Sequence, residues 1–515
     1  MLNWATGPLI VGWIFVLVWV PIVVLSQRKT HPKALFTLFF AELWERFSFY
    51  GMRALLTLYM TKVLFEQMAQ GEADAKAYGI YGAFNALLYG APVIGGILAD
   101  KLLGFRRAVL IGATFMALGQ FTLSGTVGQQ LPFYVGLALI VVGNGFFKPN
   151  ISSFLGTFYD RDDARKDGAF TIFYMGINIG AFLAPLTCGY LGEQVGWSYG
   201  FLAAGIGIVL GAVVFWRNMR AYEGKGVAPD EAFLKAPWIA GINRQTGVIL
   251  GTLLSVPLFA LLLNQELIVD WILIAAGVII IGYLVATSIR FEDRAQGKQL
   301  LVVVVLFFFH MVFWTLFEQA GGSLTLFTDR NVERYGIPTS QFQAVNPFYI
   351  MTLAPVFSWI WIRLRRMNFE PRTPTKFVLG LLQMAAGYGI IVWGAKSFAT
   401  DGVVPIAFLL LMYLLHTTGE LSLSPVGLSV VTKLSPPKAV GFVMGAWFLS
   451  IAFAHKIAGE LGKLTAAPDE VTDPTALLDI FTNVYWIWGV LVVLGSAVLL
   501  ALLTPILKKW MHGIH

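Results

Sequence analysis

Apolar runs of about 20 residues, the length of helix that crosses the hydrocarbon of a bilayer, recur along the whole chain with only short polar breaks between them. No interval is long enough for a soluble domain. The 515 residues are 57% hydrophobic and 13% charged, and that charge content is about half the usual share for a soluble protein. The sequence therefore reads as an all-α polytopic membrane protein whose solvent is the lipid bilayer. Its net charge of +7 gathers in short loops, as the positive-inside rule requires, which assigns the charge to topology and excludes a nucleic-acid partner. A single cysteine, Cys188, excludes an internal disulfide and any cysteine-held metal. No metal site is expected. With no HExxH and no clustered cysteine or histidine ligands in the chain, an enzyme is not expected either.

From Lys33 onward, six spans begin near Lys33, Tyr78, Arg106, Leu131, Asp167 and Trp197. A polar segment at 217–244 follows, then two apolar runs at 247–263 and 267–289. Six more spans begin near Leu300, Gln341, Lys376, Val403, Ala439 and Leu477. Before Lys33 lies "PLIVGWIFVLVWVPIVVLS". Its flanking charges, Arg28, Lys29 and Lys33, follow it rather than precede it, the reverse of a secretory signal; it fits an N-out anchor or an interfacial helix. The basic stretch "RLRRMNFEPRTPTK" is expected in the cytoplasm and the acidic "APDEVTDPTALLD" outside.

The division is then 1–32, an N-terminal hydrophobic segment; 33–217, a six-helix bundle; 218–298, a linker with two added helices; and 299–515, a second six-helix bundle with a short cytoplasmic tail. Two six-span halves are similar to the parallel repeats of major facilitator transporters, whose substrate site lies between the halves. The loop "GGILADKLLGFRR" resembles that superfamily's signature. Gly95, Gly96 and Gly104 are expected to allow close helix contact and a tight turn, with Asp100, Lys101, Arg106 and Arg107 holding the loop in the cytoplasm.

The stretch "FAELWERFSFYGMRALL" carries charges into a spanning run. At about 100° per residue, Glu42, Arg46, Tyr50 and Arg53 share a stripe of about 80°, which Glu45 widens to about 140°. A charge at the bilayer centre costs at least about 2.5 kcal/mol, so such a face must be paired or line a water-filled cavity. The same argument selects Lys148, Glu318 and Glu420. The first half thus brings Arg46, Arg53 and Lys148 against Glu42 and Glu45, and the second half brings Glu318 and Glu420 with no evident buried cation. A zwitterion such as an amino acid or short peptide suits that division. His310 and His416 are expected to be packing residues rather than proton relays, and Lys456 and Glu460, near a span end, are expected to snorkel.

"ELWERFSFYGMR" resembles the ExxERFxYYG motif of the proton-coupled oligopeptide transporter family. "GNGFFKPN", "FTIFYMGINIGAFLAP", "FWTLFEQ", "GELSLSPVG" and "GAWFLS" are similar to further helices of that family, and the resemblance covers nearly everything after Lys33. It implies that Arg46, Arg53 and Lys148 hold a peptide carboxylate. Tyr50, Tyr89, Tyr174, Asn178 and Asn346 would hydrogen-bond the peptide, Glu420 would meet its ammonium, and Trp314, Ser424 and Trp447 would line side-chain pockets. Glu318 corresponds to the proton site, while Glu42 and Glu45 pair with the lysine and influence coupling. Two departures stand out. Phe49 replaces a tyrosine common in the motif, and no histidine lies between His31 and His310, so coupling is expected to rest on carboxylates.

What the resemblance implies is proton-driven symport of di- and tripeptides by alternating access, with protons as coupling ion and no cofactor. Ionised Glu318 would engage Arg53, and protonation would free the guanidinium for a peptide. The expected setting is a functional monomer in a bacterial inner membrane with a cytoplasmic C-terminus. A carrier of another small anion or peptide-like drug is the rival reading, and a peptide receptor without transport is a further one.

Overall fold

In a computed structural model of the protein, the described residues are 4–513 apart from 161, 239–240, 292, 437–439, 469–470 and 472, and the side chains of 424–426, 428 and 441 also lie outside the description. Fourteen helices among the described residues are long and apolar enough to cross a membrane. In chain order the helices are α1 (Gly7–Gln27), α2 (Lys33–Tyr59), α3 (Gln70–Leu98), α4 (Phe105–Gly125), α5 (Gln130–Gly156) and α6 (Lys166–Ala184). They continue with α7 (Trp197–Arg217), the short α8 (Glu231–Lys235), α9 (Arg244–Asn264), α10 (Glu266–Arg290), α11 (Arg294–Phe317) and α12 (Ser323–Asn331). The last are α13 (Val345–Arg366), α14 (Thr373–Phe398), α15 (Ile406–Leu434), α16 (Val440–Lys463), α17 (Pro474–Val484) and α18 (Val493–Trp510). The chain is a multi-pass membrane protein. Helix α2, with 27 residues, is as long as its neighbours but is not among these fourteen; it carries Glu42, Glu45, Arg46 and Arg53.

Every span expected from Lys33 onward is a helix. The largest shift is at α3, which starts at Gln70 rather than near Tyr78. Its first turns are polar and so escape an apolar count, yet Asp74 there is fully buried. The segment before Lys33 is also helical. There α1 lies on the end of α6, with the Trp13 indole N–H donating to Thr187 Oγ1 at 2.9 Å.

The chain forms two compact units. The first comprises Met1–Phe65, Leu87–Gln265 and Tyr335–Pro347; the second comprises Glu66–Ala86, Glu266–Arg334 and Phe348–His515. The added helices part company, with α9 in the first unit and α10 in the second.

In the first unit α2 is buried along most of its length. Leu38, Met116, Phe147, Phe154, Ile208 and Phe215, from four different helices, make one core. Helices α4 and α5 cross at paired glycines: a Cβ on Gly112 would stand 2.6 Å from the Gly143 carbonyl oxygen, and one on Gly119 would stand 2.6 Å from that of Gly136. Such small-residue seams replace the hydrophobic drive that lipid does not supply.

The turn between α3 and α4 docks on the polar segment after α7. Gly104 has φ of 74°, and a Cβ there would meet the Val227 carbonyl carbon at 2.3 Å. Arg106 donates from its backbone N–H to Gly226 O at 2.9 Å and from Nε to Lys225 O at 2.5 Å. Arg107 grips Glu231 with two hydrogen bonds of 2.6 and 3.0 Å, which holds the Glu231 carboxyl below its ordinary range. Asp100 and Lys101 are exposed. Gly95 makes the expected close contact, since its Cβ would fall 2.0 Å from the Gly145 carbonyl oxygen. Gly96 does not. A Cβ there would find nothing nearer than 3.8 Å, because it points one residue around the helix from the α5 contact.

In the second unit α11 packs on α10 and α16, and α14 packs on α15 and α18. The first half of α3 joins them. Asp74 receives both forks of Arg330 at 2.5 and 2.8 Å, and Gly459 of α16 meets the backbone of Tyr78. Lys456 corrects the expectation that it snorkels: it is buried, with Nζ 2.7 Å from Glu460, 3.2 Å from Asp270 and 3.4 Å from Glu266. Lys463 bridges Glu266 and Glu460 at 2.9 Å each. Lys376 is buried too, 2.7 Å from Glu370. The second half therefore does contain buried cations, contrary to the reading from sequence.

Gly104→Ala should lower the melting temperature of the purified protein, by the equivalent of about 1–3 kcal/mol for a strained backbone, whereas Gly96→Ala should leave it unchanged or raise it slightly. Thermal denaturation in detergent compares the two.

Candidate functional site

Each unit brings together its own set of the residues singled out from sequence. In the first, α2 supplies the centre. Arg46 is buried between two acids, with Nε 3.2 Å from Glu42 Oε1 and hydrogen-bonded to the Glu45 carboxylate. Glu42, Glu45 and Arg46 are each at most 4% exposed. Two carboxyl groups share this one guanidinium, and Lys148 on α5 acts on both acids as well.

Lys148, Arg53, Tyr50 and Tyr89 are only partly buried. Lys148 Nζ lies 4.0 Å from the centre of the Tyr89 ring, and the Arg53 guanidinium lies 5.7 Å from that of Tyr50. A cation over an aromatic face is held without losing its hydrogen-bonding capacity. Phe49, in place of a tyrosine, offers its ring to Arg46 at 5.6 Å.

Helix α6 contributes Tyr174, half exposed, and Asn178, buried, whose side-chain amide donates to Tyr174 O at 3.0 Å. Its position depends on Gly180, where a Cβ would stand 2.3 Å from Leu43 O. Gly51 of the α2 motif is similarly pressed on Cys188, which gives the lone cysteine a packing role. Asn346 arrives on the segment 335–347, which Glu193 clasps. That carboxylate accepts from Thr339 N at 3.1 Å, Ser340 N at 2.7 Å and Ser340 Oγ at 2.5 Å.

In the second unit the pocket tryptophans are set by His310. The Trp314 indole N–H donates to His310 Nε2 at 2.8 Å, the other ring nitrogen lies 2.7 Å from Ser450 Oγ, and the ring packs at a tilt of 38° on Trp447, centres 4.3 Å apart. An Nε2 that accepts carries no proton, so the ring is the neutral Nδ1–H tautomer. His310 is thereby packed between the two indoles. His416 packs on Tyr388, ring centres 4.8 Å apart. Glu420 is buried at 9% exposure. The Ser424 side chain lies outside the described residues.

Glu318 is buried, 3.7 Å from His455 Nδ1 on α16. This neighbour went unnoticed in the sequence, where the search for a histidine stopped at the second span. The signal available was weak: His455 sits in "AFAHKIAGELGK", and only the fold of α16 against α11 turns it toward Glu318.

The model of the POT family matches residues 106–487. The chain is 36% identical to dipeptide and tripeptide permease A of Yersinia pestis, over 93% of each protein. It is also 36% identical to the protein of that name in Edwardsiella piscicida, over 94% of this chain and 96% of the other. Among solved structures, a peptide transporter POT in complex with sulfate is 33% identical with a TM-score of 0.78, covering 94% of this chain and 96% of its own. A POT family transporter in complex with 5-aminolevulinic acid is 29% identical with a TM-score of 0.76, covering 93% and 97%.

Arg46→Ala would leave two carboxylates buried without their guanidinium, a loss of about 3–5 kcal/mol, and should lower folded yield and melting temperature. Lys148→Ala should keep both near wild type and lose ligand affinity instead. Size-exclusion profiles with thermal melts separate these outcomes.

Proposed function

This chain belongs to the POT family, and from that premise we propose that it carries di- and tripeptides across the membrane together with protons. The observation that carries the reading is the match at 36% identity, along 93% of both chains, to a protein named dipeptide and tripeptide permease A. The side chains agree with it. The first unit offers Lys148 and Arg53, held on aromatic faces and partly exposed, to a carboxylate. The second offers Glu420 and Glu318 to an ammonium and a proton. A peptide presents both termini, and few other common solutes do.

Arg46, locked between its acids, acts by fixing the local charge around Lys148 rather than by gripping substrate. Tyr50, Tyr89, Tyr174, Asn178 and Asn346 supply hydrogen bonds to the peptide, and Trp314 and Trp447 accommodate its side chains. In our reading the driving proton binds Glu318, with His455 as the adjacent imidazole, and no cofactor is used. Both residue sets belong to one chain, which suits a functional monomer. Basic loops around Arg106 and Arg365 favour the cytoplasmic side for these turns and for the C-terminus, in a bacterial inner membrane.

A broader range of zwitterions is the second reading, favoured by the related transporter solved with 5-aminolevulinic acid. Competition against labelled di-alanine by that acid, by di-alanine and by C-amidated di-alanine distinguishes the two.

Glu318→Gln should still exchange labelled for unlabelled peptide between the two sides of a proteoliposome, yet fail to concentrate it under an inward proton gradient. A gradient does work only through a group that gains and loses the proton in each cycle. Accumulation retained by the variant would move the proton site to another carboxylate, with Glu42 and Glu45 next.

A further inference from the structure

Within the first unit, α9 stands off from α3 and α5 along a groove of about 640 Å³, inside the usual range of about 300–1,000 Å³ for ligand pockets. Its walls are apolar, with Ala91, Gly95 and Leu98 from α3, Phe146 from α5, and Val248 and Phe259 from α9. All three helices are of spanning length, which puts the groove at the depth of the hydrocarbon. Water does not fill such a space, and an empty one would forfeit the dispersion contacts of every group that lines it. The two hydroxyls along the wall do not ask for a polar ligand either. Thr252 donates to Val248 O and Ser255 to Thr252 O, both at 2.7 Å within their own helix. An apolar chain is the occupant that suits these walls.

One end of the groove has a different chemistry. It is closed by Phe233, Trp238 and Arg244, the last being the first residue of α9. The Arg244 guanidinium lies 3.9 Å from the Phe233 ring centre and donates to the Phe233 carbonyl oxygen at 3.2 Å. That bond uses one of five N–H donors, and the side chain is only partly buried. Trp238 is 56% and Phe233 48% exposed, the placement of aromatic rings at a membrane–water boundary. The groove thus has an apolar length below and a fixed cation among interfacial aromatics above.

We propose that this groove binds an anionic phospholipid of the bilayer, with an acyl chain laid between α9 and the α3–α5 pair and the head group held by Arg244. The charge complementarity selects the anionic class, because a basic residue at a helix end beside a lipid-facing slot attracts acidic head groups. Gly251 gives the slot its width. A Cβ there would meet nothing within 4 Å, so the helix carries a glycine at a position where packing does not require one. The lipid braces the added helix against the α3–α5 crossing at Gly95 and Gly145, one turn from Lys148.

The experiment uses the full chain, purified in detergent, stripped of lipid and offered phosphatidylglycerol or phosphatidylcholine, with native mass spectrometry and melting temperature as readouts. The wild type should retain phosphatidylglycerol in preference and melt higher with it. Arg244→Gln should reduce that preference about fivefold without changing the melting temperature of the lipid-free protein. Gly251→Leu fills open space, so it should fold, melt no lower when lipid-free, and lose retention of both lipids; Ser255→Leu, one turn on, is a second block should the first misfold. Equal retention of the two lipids by the wild type would overturn the head-group assignment. Wild-type retention of phosphatidylglycerol by a folded Gly251→Leu or Ser255→Leu protein would remove the lipid from this groove.

Discussion

The ion cluster on α2 is the constraint from which the rest of the first unit follows. A membrane helix can carry Glu42, Glu45 and Arg46 into a buried position only if the three neutralise one another, since each lone charge there would cost at least about 2.5 kcal/mol. Arg46 lies between both acids, so two carboxyl groups share one guanidinium. Lys148 on α5 adds a second positive charge that acts on both, and the approach of α2 to α6 at Gly180 gives the cluster its walls.

The second unit meets a parallel problem with a neutral device. Trp314 and Trp447 must present broad apolar faces while their polar atoms stay satisfied. His310 does both tasks by accepting from one indole and packing on the other, with Ser450 taking its remaining proton. Because both ring nitrogens are engaged, protonating this imidazole would break the Trp314 contact.

Much of this was legible in the sequence because it is local. The α2 stripe follows from residues within three turns, and the spans follow from apolar length alone. What escaped depends on partners far along the chain. Lys456 looked like a snorkelling residue because Glu460 alone is near it in sequence, whereas Glu266 and Asp270 come from α10. His455 was passed over for the same reason, its relation to Glu318 being set by packing of α16 on α11. Gly95 and Gly96 are adjacent letters, and only the direction of α5 decides which of them is in contact. The docking of Arg107 on Glu231 likewise turned a loop read as topology into a structural clasp.

The network around Lys456 also bears on how such a chain could be shortened. Excising the two middle helices to leave a twelve-span core would remove Glu266 and Asp270, two of the three acids that make a buried ammonium tolerable on α16. Lys456 would then face lipid or a void with Glu460 as its main counter-ion. A minimal version of this protein therefore requires compensating apolar replacements at Lys456 and Lys463, and a natural gain of the two helices would have been locked in once those lysines appeared. Helix α10 is wired into the second unit by charge, and its loss is not a neutral deletion.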